Sequence, residues 1–256
     1  MEFRCVECGF RIGKNKPLFV QYSPGNIRLL RCVNCNAVAD EYIECEIMIL
    51  LIDLILHKAK AYRHLLYNLL NRHEVSFKVL LWKSTLAFLL LDAYRILILD
   101  WSEDGWGLSM GFSSFVLRCG QMLMDLVFGN FLFFSILLIM ARFVLDASAG
   151  VFRYKDILLA ICMSSYIRIF LIAMMVWEFP SSVLFIVDIF VLSSNTVALK
   201  VVTESSIGKC MGACFSAHAV KLFVRMVLDV NRHYRRDNLM SFWQNSFLSL
   251  NEVRPT

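Results

Sequence analysis

The amino-acid sequence predicts an α-helical, multi-pass membrane protein with a small cysteine-rich head. Of its 256 residues, 58% are hydrophobic and only 18% are charged, whereas soluble domains are about 45–50% apolar. The long apolar runs lie in residues 79–230, and residues 1–46 are polar. We therefore predict a head over 1–38, an amphipathic helix over 39–76, a transmembrane helical region over 77–230 and a polar C-terminal tail over 231–256.

The head contains two C-x-x-C pairs separated by the 23 residues 9–31. Four thiolates at such a spacing complete a closed tetrahedral shell around Zn2+. Gly9 and Asn36 follow the two pairs, and both residue types tolerate the positive φ that the tight turn of a metal knuckle needs. The pattern predicts a zinc ribbon with a structural Zn2+ bound by Cys5, Cys8, Cys32 and Cys35.

The segment between the cysteine pairs is typical of a β-hairpin, because apolar residues 18–20 and 27–30 flank a turn-rich segment at 22–26. The alternative, two separate redox dithiols, is disfavoured because no βαβ pattern surrounds either pair. The other five cysteines are predicted to be small apolar packing residues: Cys45, Cys119, Cys162, Cys210 and Cys214. S-palmitoylation of the last two is an alternative.

Residues 42–71 contain neither Gly nor Pro and predict one long helix with a narrow polar stripe. Its apolar segment 47–56 would be about 15 Å long, half of a hydrocarbon core of roughly 30 Å, so it cannot cross a membrane. Two placements stay open: packing against the ribbon and the membrane helices, or lying in the membrane interface. A metal or acid/base site at Asp53, His57 and His64 is disfavoured, because the two histidines are about 10 Å apart along the axis.

Short sequence blocks directly after the ribbon, at 39–44, 52–53 and 61–68, carry a resemblance to a known family. Their distinctive members, together with one lysine between blocks, are Asp40, Tyr42, Glu44, Asp53, Lys58, Ala61, Tyr62, Arg63, His64 and Asn68. With the ribbon, they resemble the ARV homology domain over residues 5–68, about a quarter of the chain. Phe19, where the family often has Tyr, and Glu46, where Asp is common, are small departures.

The resemblance implies a protein of the endoplasmic-reticulum membrane, with the Golgi as an additional location. It implies a non-enzymatic role in intracellular sterol and lipid transport, with effects on sphingolipid metabolism and glycosylphosphatidylinositol-anchor assembly. The expected partners are membrane lipids, namely sterols and glycolipid precursors, with membrane enzymes as further partners; no oligomeric state follows. The net charge of +5 is too small and dispersed for nucleic-acid binding.

Five hydrophobic segments approach the roughly 20 residues that a helix needs to cross a membrane: 79–99, 121–141, 157–177, 183–203 and 210–230. The basic residues of the head and the acidic first loop predict that the head is cytosolic. Four spans, with 210–230 in the interface, would keep the basic tail cytosolic too. We favour five, because Gly208, Gly212 and Ser216 form a small-x-x-x-small ridge.

Polar residues inside the predicted spans are costly and are functional candidates. In the first span, Asp92 is expected to pair with Arg95 one turn later. Further candidates are Asp125, Arg168, Asp188 and His218, with Lys221 and Arg225. Alternatively, these residues pair with one another or lie at span boundaries.

Three functions fit these features: a lipid-handling protein with a groove between its spans, a transferase that uses His218 as general base, and a scaffold that recruits biosynthetic enzymes through the ribbon. The sequence contains neither paired carboxylates nor a nucleophile–base arrangement. We therefore expect the protein not to be an enzyme, and we favour the lipid-handling function.

Overall fold

In the part of the chain that the structure describes, the regular structure is helical apart from one two-stranded sheet in the head. The structure, a computed structural model, describes residues 3–13, 17–24, 26–70, 77–104, 112–144, 154–169 and 182–252. Within these ranges the helices are α1 (Ile47–Ile55), α2 (Ala59–Arg63), α3 (Phe77–Asp104), α4 (Phe112–Val144), α5 (Tyr154–Ser164), α6 (Ser182–Thr203) and α7 (Ile207–Glu252). A π-helical segment, His64–Leu69, continues α2, and a 3-10 helix, Ser165–Ile169, continues α5.

The head is a β-hairpin between two turns that carry the cysteine pairs. Strand β1 (Phe19–Ser23) pairs antiparallel with β2 (Asn26–Leu29), so the predicted hairpin is confirmed. Gly9 and Asn36 adopt φ values of 77° and 57°, as the knuckle pattern predicts. Each closes its turn by donating its backbone N–H to the carbonyl of the first cysteine of its pair at 2.9 Å.

The prediction of one continuous helix over 42–71 is wrong. The chain forms a short 3-10 turn at Glu41–Ile43, then α1, and it reverses at His57, whose φ of 56° is incompatible with a right-handed helix. Helix α2 then packs back on α1, and the Tyr62 hydroxyl donates to the Leu54 carbonyl at 3.3 Å. Residues 47–69 therefore form a hairpin of two short helical arms, and the predicted polar stripe is not one face of a single helix.

Three helices of the described ranges are long and apolar enough to cross a membrane: Cys119–Phe143, Ser182–Thr203 and Ile207–Asn231. They match the predicted spans 121–141, 183–203 and 210–230. The predicted span 79–99 lies within α3, and the predicted span 157–177 begins in α5 and extends past residue 169, outside the described residues. A count of four or five spans stays a prediction. Helix α7 also continues into the segment predicted as a tail.

Helix α7 packs along α4 and α6 through small residues, but not through the predicted ridge. Gly208 and Gly212 are exposed, and a Cβ atom added to either would meet nothing within 4 Å. The packing face lies elsewhere on the helix and consists of residues that are at most 1% exposed: Cys210, Ala213, Cys214 and Ala217. The ridge prediction is therefore wrong. Burial of Cys210 and Cys214 also counts against their acylation.

Candidate metal centre, junction and intramembrane polar network

The four predicted metal ligands come together in the head. The Sγ atoms of Cys5, Cys8, Cys32 and Cys35 all lie within 4.8 Å of one another. The Sγ atoms of Cys5 and Cys35 are 3.7 Å apart, as are those of Cys8 and Cys32. A tetrahedral ion with metal–sulfur bonds of about 2.3 Å separates its sulfurs by about 3.8 Å. The cluster therefore has the size and the donor chemistry to hold a tetrahedral metal ion.

The surroundings of the sulfurs give Cys5 and Cys8 different pKa values. Burial raises the pKa of Cys5 to about 12. Desolvation acts in the same direction on Cys8, but hydrogen bonds from the Phe10 backbone and from Asn34 outweigh it and lower the pKa of Cys8 to about 6. Because metals bind thiolates, a metal at neutral pH would meet Cys8 already ionised and would displace the proton of Cys5.

A buried polar cluster joins the ribbon to the π-helical segment after α2. Asp40, which is fully buried, accepts the Tyr42 backbone N–H through Oδ1 at 3.1 Å. Its Oδ2 lies 2.7 Å from both His64 Nδ1 and Asn68 Nδ2. Asn68 also pairs reciprocally with the Arg4 backbone, with two bonds of 2.9 Å. Three chain segments thus share one set of satisfied buried hydrogen bonds.

Arg63 of α2 binds the backbone of the first cysteine knuckle, the turn that carries Cys5 and Cys8. Its Nη1 donates to the carbonyls of Val6 and Glu7 at 2.8 and 2.7 Å. A Cβ atom at Gly9 would lie 3.6 Å from Arg63 Nε, so the knuckle and the guanidinium are in close contact. Lys60 pairs with Glu7 on the same side. The metal-ligand turn is therefore attached to α2 by a side chain with several donors in a fixed plane.

The helical hairpin is in turn attached to α6, one of the membrane-crossing candidates. The hydroxyls of Tyr62 and Ser194 are 2.7 Å apart, and His57 Nε2 lies 2.9 Å from the Ser193 hydroxyl. The His57 ring stacks on Phe190 with a centroid separation of 6.0 Å. In addition, Arg4 of the ribbon pairs with Glu204, directly after α6. Ribbon, hairpin and α6 therefore form one connected unit, which we call the junction.

The remaining residues that resemble the ARV homology domain divide between the junction and the surface. Asp53 accepts the Tyr42 hydroxyl at 2.8 Å and pairs with Lys58 at 2.7 Å. Ala61 is fully buried, whereas Glu44 is exposed. Since Asp53, His57 and His64 each have a different partner, the disfavoured metal or acid/base site at these three residues gains no support.

Inside the bundle, Asp92 of α3 is the centre of a buried charged network. It is 1% exposed and lies 2.8 Å from Lys221 Nζ on α7, 2.7 Å from Asn130 Nδ2 on α4 and 3.3 Å from Arg168 Nη1. Lys221 also donates to Asn130 Oδ1 at 2.8 Å. The network, which we call the Asp92 cluster, thus joins three helices and the 3-10 segment after α5.

Of the six predicted intramembrane candidates, Arg168 and Lys221 contact Asp92 directly. Asp188 pairs with Arg95, so the structure gives both members of the expected Asp92–Arg95 pair other partners. His218 lies apart: its Nε2 accepts from Asn195 Nδ2 at 3.2 Å, and its ring meets the edge of Phe133 at 4.9 Å. Beside the Asp92 cluster is a cavity of about 30 Å³, lined in part by Asp125, Gly129, Lys221 and Arg225.

Sequence reasoning missed several residues of these sites. Ser193 and Ser194 were visible as a polar patch in a predicted span, which should have indicated a docking position on that helix. Arg4 adjoins a cysteine ligand but has no pattern that predicts its contacts with Asn68 and Glu204. Asn130 is a single amide in an apolar run, and only its neighbours in space reveal its role.

A known protein family matches the ribbon, the helical hairpin and most of the helices that follow. Residues 4–199 match the family model described as the Arv1-like family. The chain belongs to the Arv1-like family. Within it, the chain is 51% identical to Protein ARV 2 of Arabidopsis thaliana over 223 residues, covering 87% of this chain and 93% of the relative.

Two further relatives extend this similarity. Protein ARV 1 of Arabidopsis thaliana is 49% identical over 228 residues, 89% of each chain. Protein ARV1 of Homo sapiens is 28% identical over 256 residues, which cover 91% of this chain and 86% of the relative. No solved structure is significantly similar. The family resemblance seen in the sequence is thereby confirmed.

Proposed function

We propose that the protein is a non-enzymatic lipid-handling protein of the endoplasmic-reticulum membrane, and of the Golgi in addition. It would bind and redistribute a sterol or a glycolipid precursor, with effects on sphingolipid metabolism and glycosylphosphatidylinositol-anchor assembly. The observation that carries this proposal is the Asp92 cluster, because charged groups buried among apolar helices are expensive and mark functional sites. The lipid role itself comes from the family resemblance.

The cavity beside the Asp92 cluster restricts what it can receive. Its volume of about 30 Å³ exceeds the roughly 10–15 Å³ that a site needs to hold one water molecule. It therefore suits a hydroxyl group rather than a phosphate or a whole lipid. The apolar body of such a lipid would lie along the exposed apolar side chains of α4 and α7, which include Val127, Phe131 and Met226. A sterol, with one hydroxyl on an apolar body, fits this description best.

The metal centre has a supporting role in this proposal. Four thiolates fit Zn2+ and leave no ligand position for a substrate, so the ion would cross-link the two knuckles. Arg63 and Asp40 then connect the ribbon to the hairpin. His218 accepts a hydrogen bond from Asn195, which argues against the alternative of a transferase with His218 as its base. The predicted cytosolic position of the ribbon belongs to the same proposal and is tested by glycosylation-site mapping.

The test uses the full chain in liposomes that contain a photoreactive sterol or a glycosylphosphatidylinositol precursor. Gly129→Ala adds one methyl group beside the cavity without a clash, because a Cβ atom there meets nothing within 4 Å. We expect it to reduce cross-linking. Gly120→Ala is the control, since Gly120 lies on the same helix, a Cβ atom there also meets nothing within 4 Å, and it does not line the cavity. Absence of lipid binding and transfer in the unmodified protein, or equal cross-linking of both variants, would contradict the proposal.

The second candidate function, a scaffold for lipid or glycolipid biosynthetic enzymes, is favoured by the surface of the ribbon. Val33 is 75% exposed and Tyr22 66% exposed, both on a small domain. Large exposed apolar side chains contribute to protein-binding surfaces where they form a patch. On this hypothesis, Val33→Asp abolishes co-purification of the enzymes in mild detergent and leaves sterol cross-linking unchanged. Retained co-purification would count against the scaffold.

A further inference from the structure

Helix α1 exposes most of its surface although almost all of its residues are apolar. Only Leu50 and Leu54 are buried, at 8% and 3% exposure. Its single charged residue, Asp53, is paired with Lys58 and Tyr42. The exposed apolar side chains, including the residue after the helix, are Ile47, Met48, Ile49, Leu51, Ile52, Ile55 and Leu56. An apolar surface of this extent is typical of a site that contacts protein or lipid.

The contacts of the hairpin with α6 indicate how deep α1 lies. Glu204, at the ribbon end of α6, pairs with Arg4 of the ribbon. The turn of the hairpin, at His57, contacts Ser193, ten positions before Thr203, the last residue of α6. Ten helical residues span about 15 Å, half of a hydrocarbon core of roughly 30 Å. The hairpin therefore extends alongside α6 from the ribbon to near the middle of that span.

The length of α1 agrees with this depth. Its 9 residues are about 13.5 Å long, close to the thickness of one leaflet. The exposed apolar surface of α1 also ends close to α6, because His57, directly after the exposed Leu56, stacks on Phe190. Phe190 and its neighbours Ile186 and Ile189 are exposed on α6, where a spanning helix meets lipid. The same acyl chains would cover both surfaces.

Several polar groups at the turn of the hairpin have partners within the protein. A turn at membrane depth is tolerated where its backbone and side chains are satisfied by protein. His57 has Ser193 as a side-chain partner, and the Lys58 backbone N–H donates to the Asp53 carbonyl at 3.0 Å. The ammonium group of Lys58, whose side chain is 52% exposed, pairs with the Asp53 carboxylate at 2.7 Å, and Lys60, 40% exposed, pairs with Glu7 of the ribbon.

We propose that residues 47–69 form a re-entrant helical hairpin, inserted into the leaflet on the ribbon side, with the exposed face of α1 in contact with lipid acyl chains. The ribbon is then held at the membrane surface by an element that enters the same bilayer as the spans. This proposal goes beyond lipid handling and holds whichever lipid the Asp92 cluster binds.

The experiment places a fluorescent amino acid at position 52 of the full chain in phosphatidylcholine vesicles. The lipids carry a nitroxide quencher on the headgroup, early in the acyl chain or near its end. We expect strong quenching by an acyl-chain nitroxide and little by the headgroup nitroxide or by aqueous iodide. Position 33, exposed on the ribbon, and position 185, 69% exposed on α6, are the aqueous and acyl-chain controls.

The outcomes separate the competing placements of α1. Maximal quenching of position 52 by the headgroup nitroxide would mean an interfacial helix, and quenching by iodide alone would mean a water-exposed one; either overturns the proposal. Position 185 reports independently whether α6 spans the membrane. Labelling at Met48, 58% exposed, repeats the measurement at a second site, and bound metal checks that each labelled protein is folded.

Discussion

Asp40→Asn tests whether the buried polar cluster holds the ribbon in place. In the protein, Asp40 Oδ2 accepts from His64 and Asn68 at 2.7 Å each. The variant puts an amide NH2 group against these two donors or, with the amide reversed, against the Tyr42 backbone N–H. One or two hydrogen bonds to a charged acceptor are lost, each contributing about 1.5–3 kcal/mol. We expect the free energy of opening the junction to fall by about 3 kcal/mol, which is about a 100-fold larger opening constant.

Native-state proteolysis of the full chain in detergent measures this change. When the opened head recloses faster than it is cut, the cleavage rate follows the opening equilibrium. Asp40→Asn should therefore raise cleavage of the ribbon about 100-fold. Glu44→Gln is the matched control, because Glu44 is an exposed residue of the same sequence block and surface changes alter stability by only about 0.5 kcal/mol. Equal cleavage of both variants would refute the structural role of Asp40.

Three further perturbations probe the other contacts. Tyr62→Phe removes the 2.7 Å contact with Ser194 and should lower the free energy of opening the junction by about 1 kcal/mol. A double-mutant cycle with Ser194→Ala, measured by proteolysis, should give a coupling energy of similar size; no coupling would contradict the contact. Asp92→Asn leaves Lys221 buried without its carboxylate and should destabilise the bundle by about 3–5 kcal/mol in SDS unfolding, partly restored by adding Lys221→Met. Acidification below the Cys8 pKa of about 6 should progressively increase release of the metal to a coloured chelator, because protons compete for thiolates as the pH falls; release that does not depend on pH would be inconsistent with a thiolate site.

Residues 39–68, which resemble the ARV homology domain, show which features of the site follow from the sequence. The order of these residues identified the family, yet it did not show that Asp40, His64 and Asn68 share one hydrogen-bonded cluster. Their spacing of 24 and four residues has no period that places a loop aspartate beside a helix face. Only the docking of the ribbon on α2 brings them together. Glu44, from the same block, makes no such contribution to the interior, a difference that the sequence does not reveal.

The sequence alone determined the features that depend on near neighbours along the chain. Paired cysteines, each followed by Gly9 or Asn36, determine the metal knuckles, since a turn of a few residues needs only local backbone freedom. The β-hairpin between them follows from two apolar runs that flank a turn-rich segment. Long apolar runs determine the spans of α4, α6 and α7, because burying apolar surface in a bilayer needs only length and composition.

Only the tertiary structure decided the features that depend on distant partners. The helix over 42–71 breaks at His57, a position without Gly or Pro, because its ring contacts Ser193 and Phe190 on α6. Asp92 pairs with Lys221 across the bundle. Helix α7 packs through Cys210 and Ala213 rather than through its glycines. In each case several local conformations or partners were acceptable, and the choice was made by packing and charge neutralisation between segments far apart in sequence.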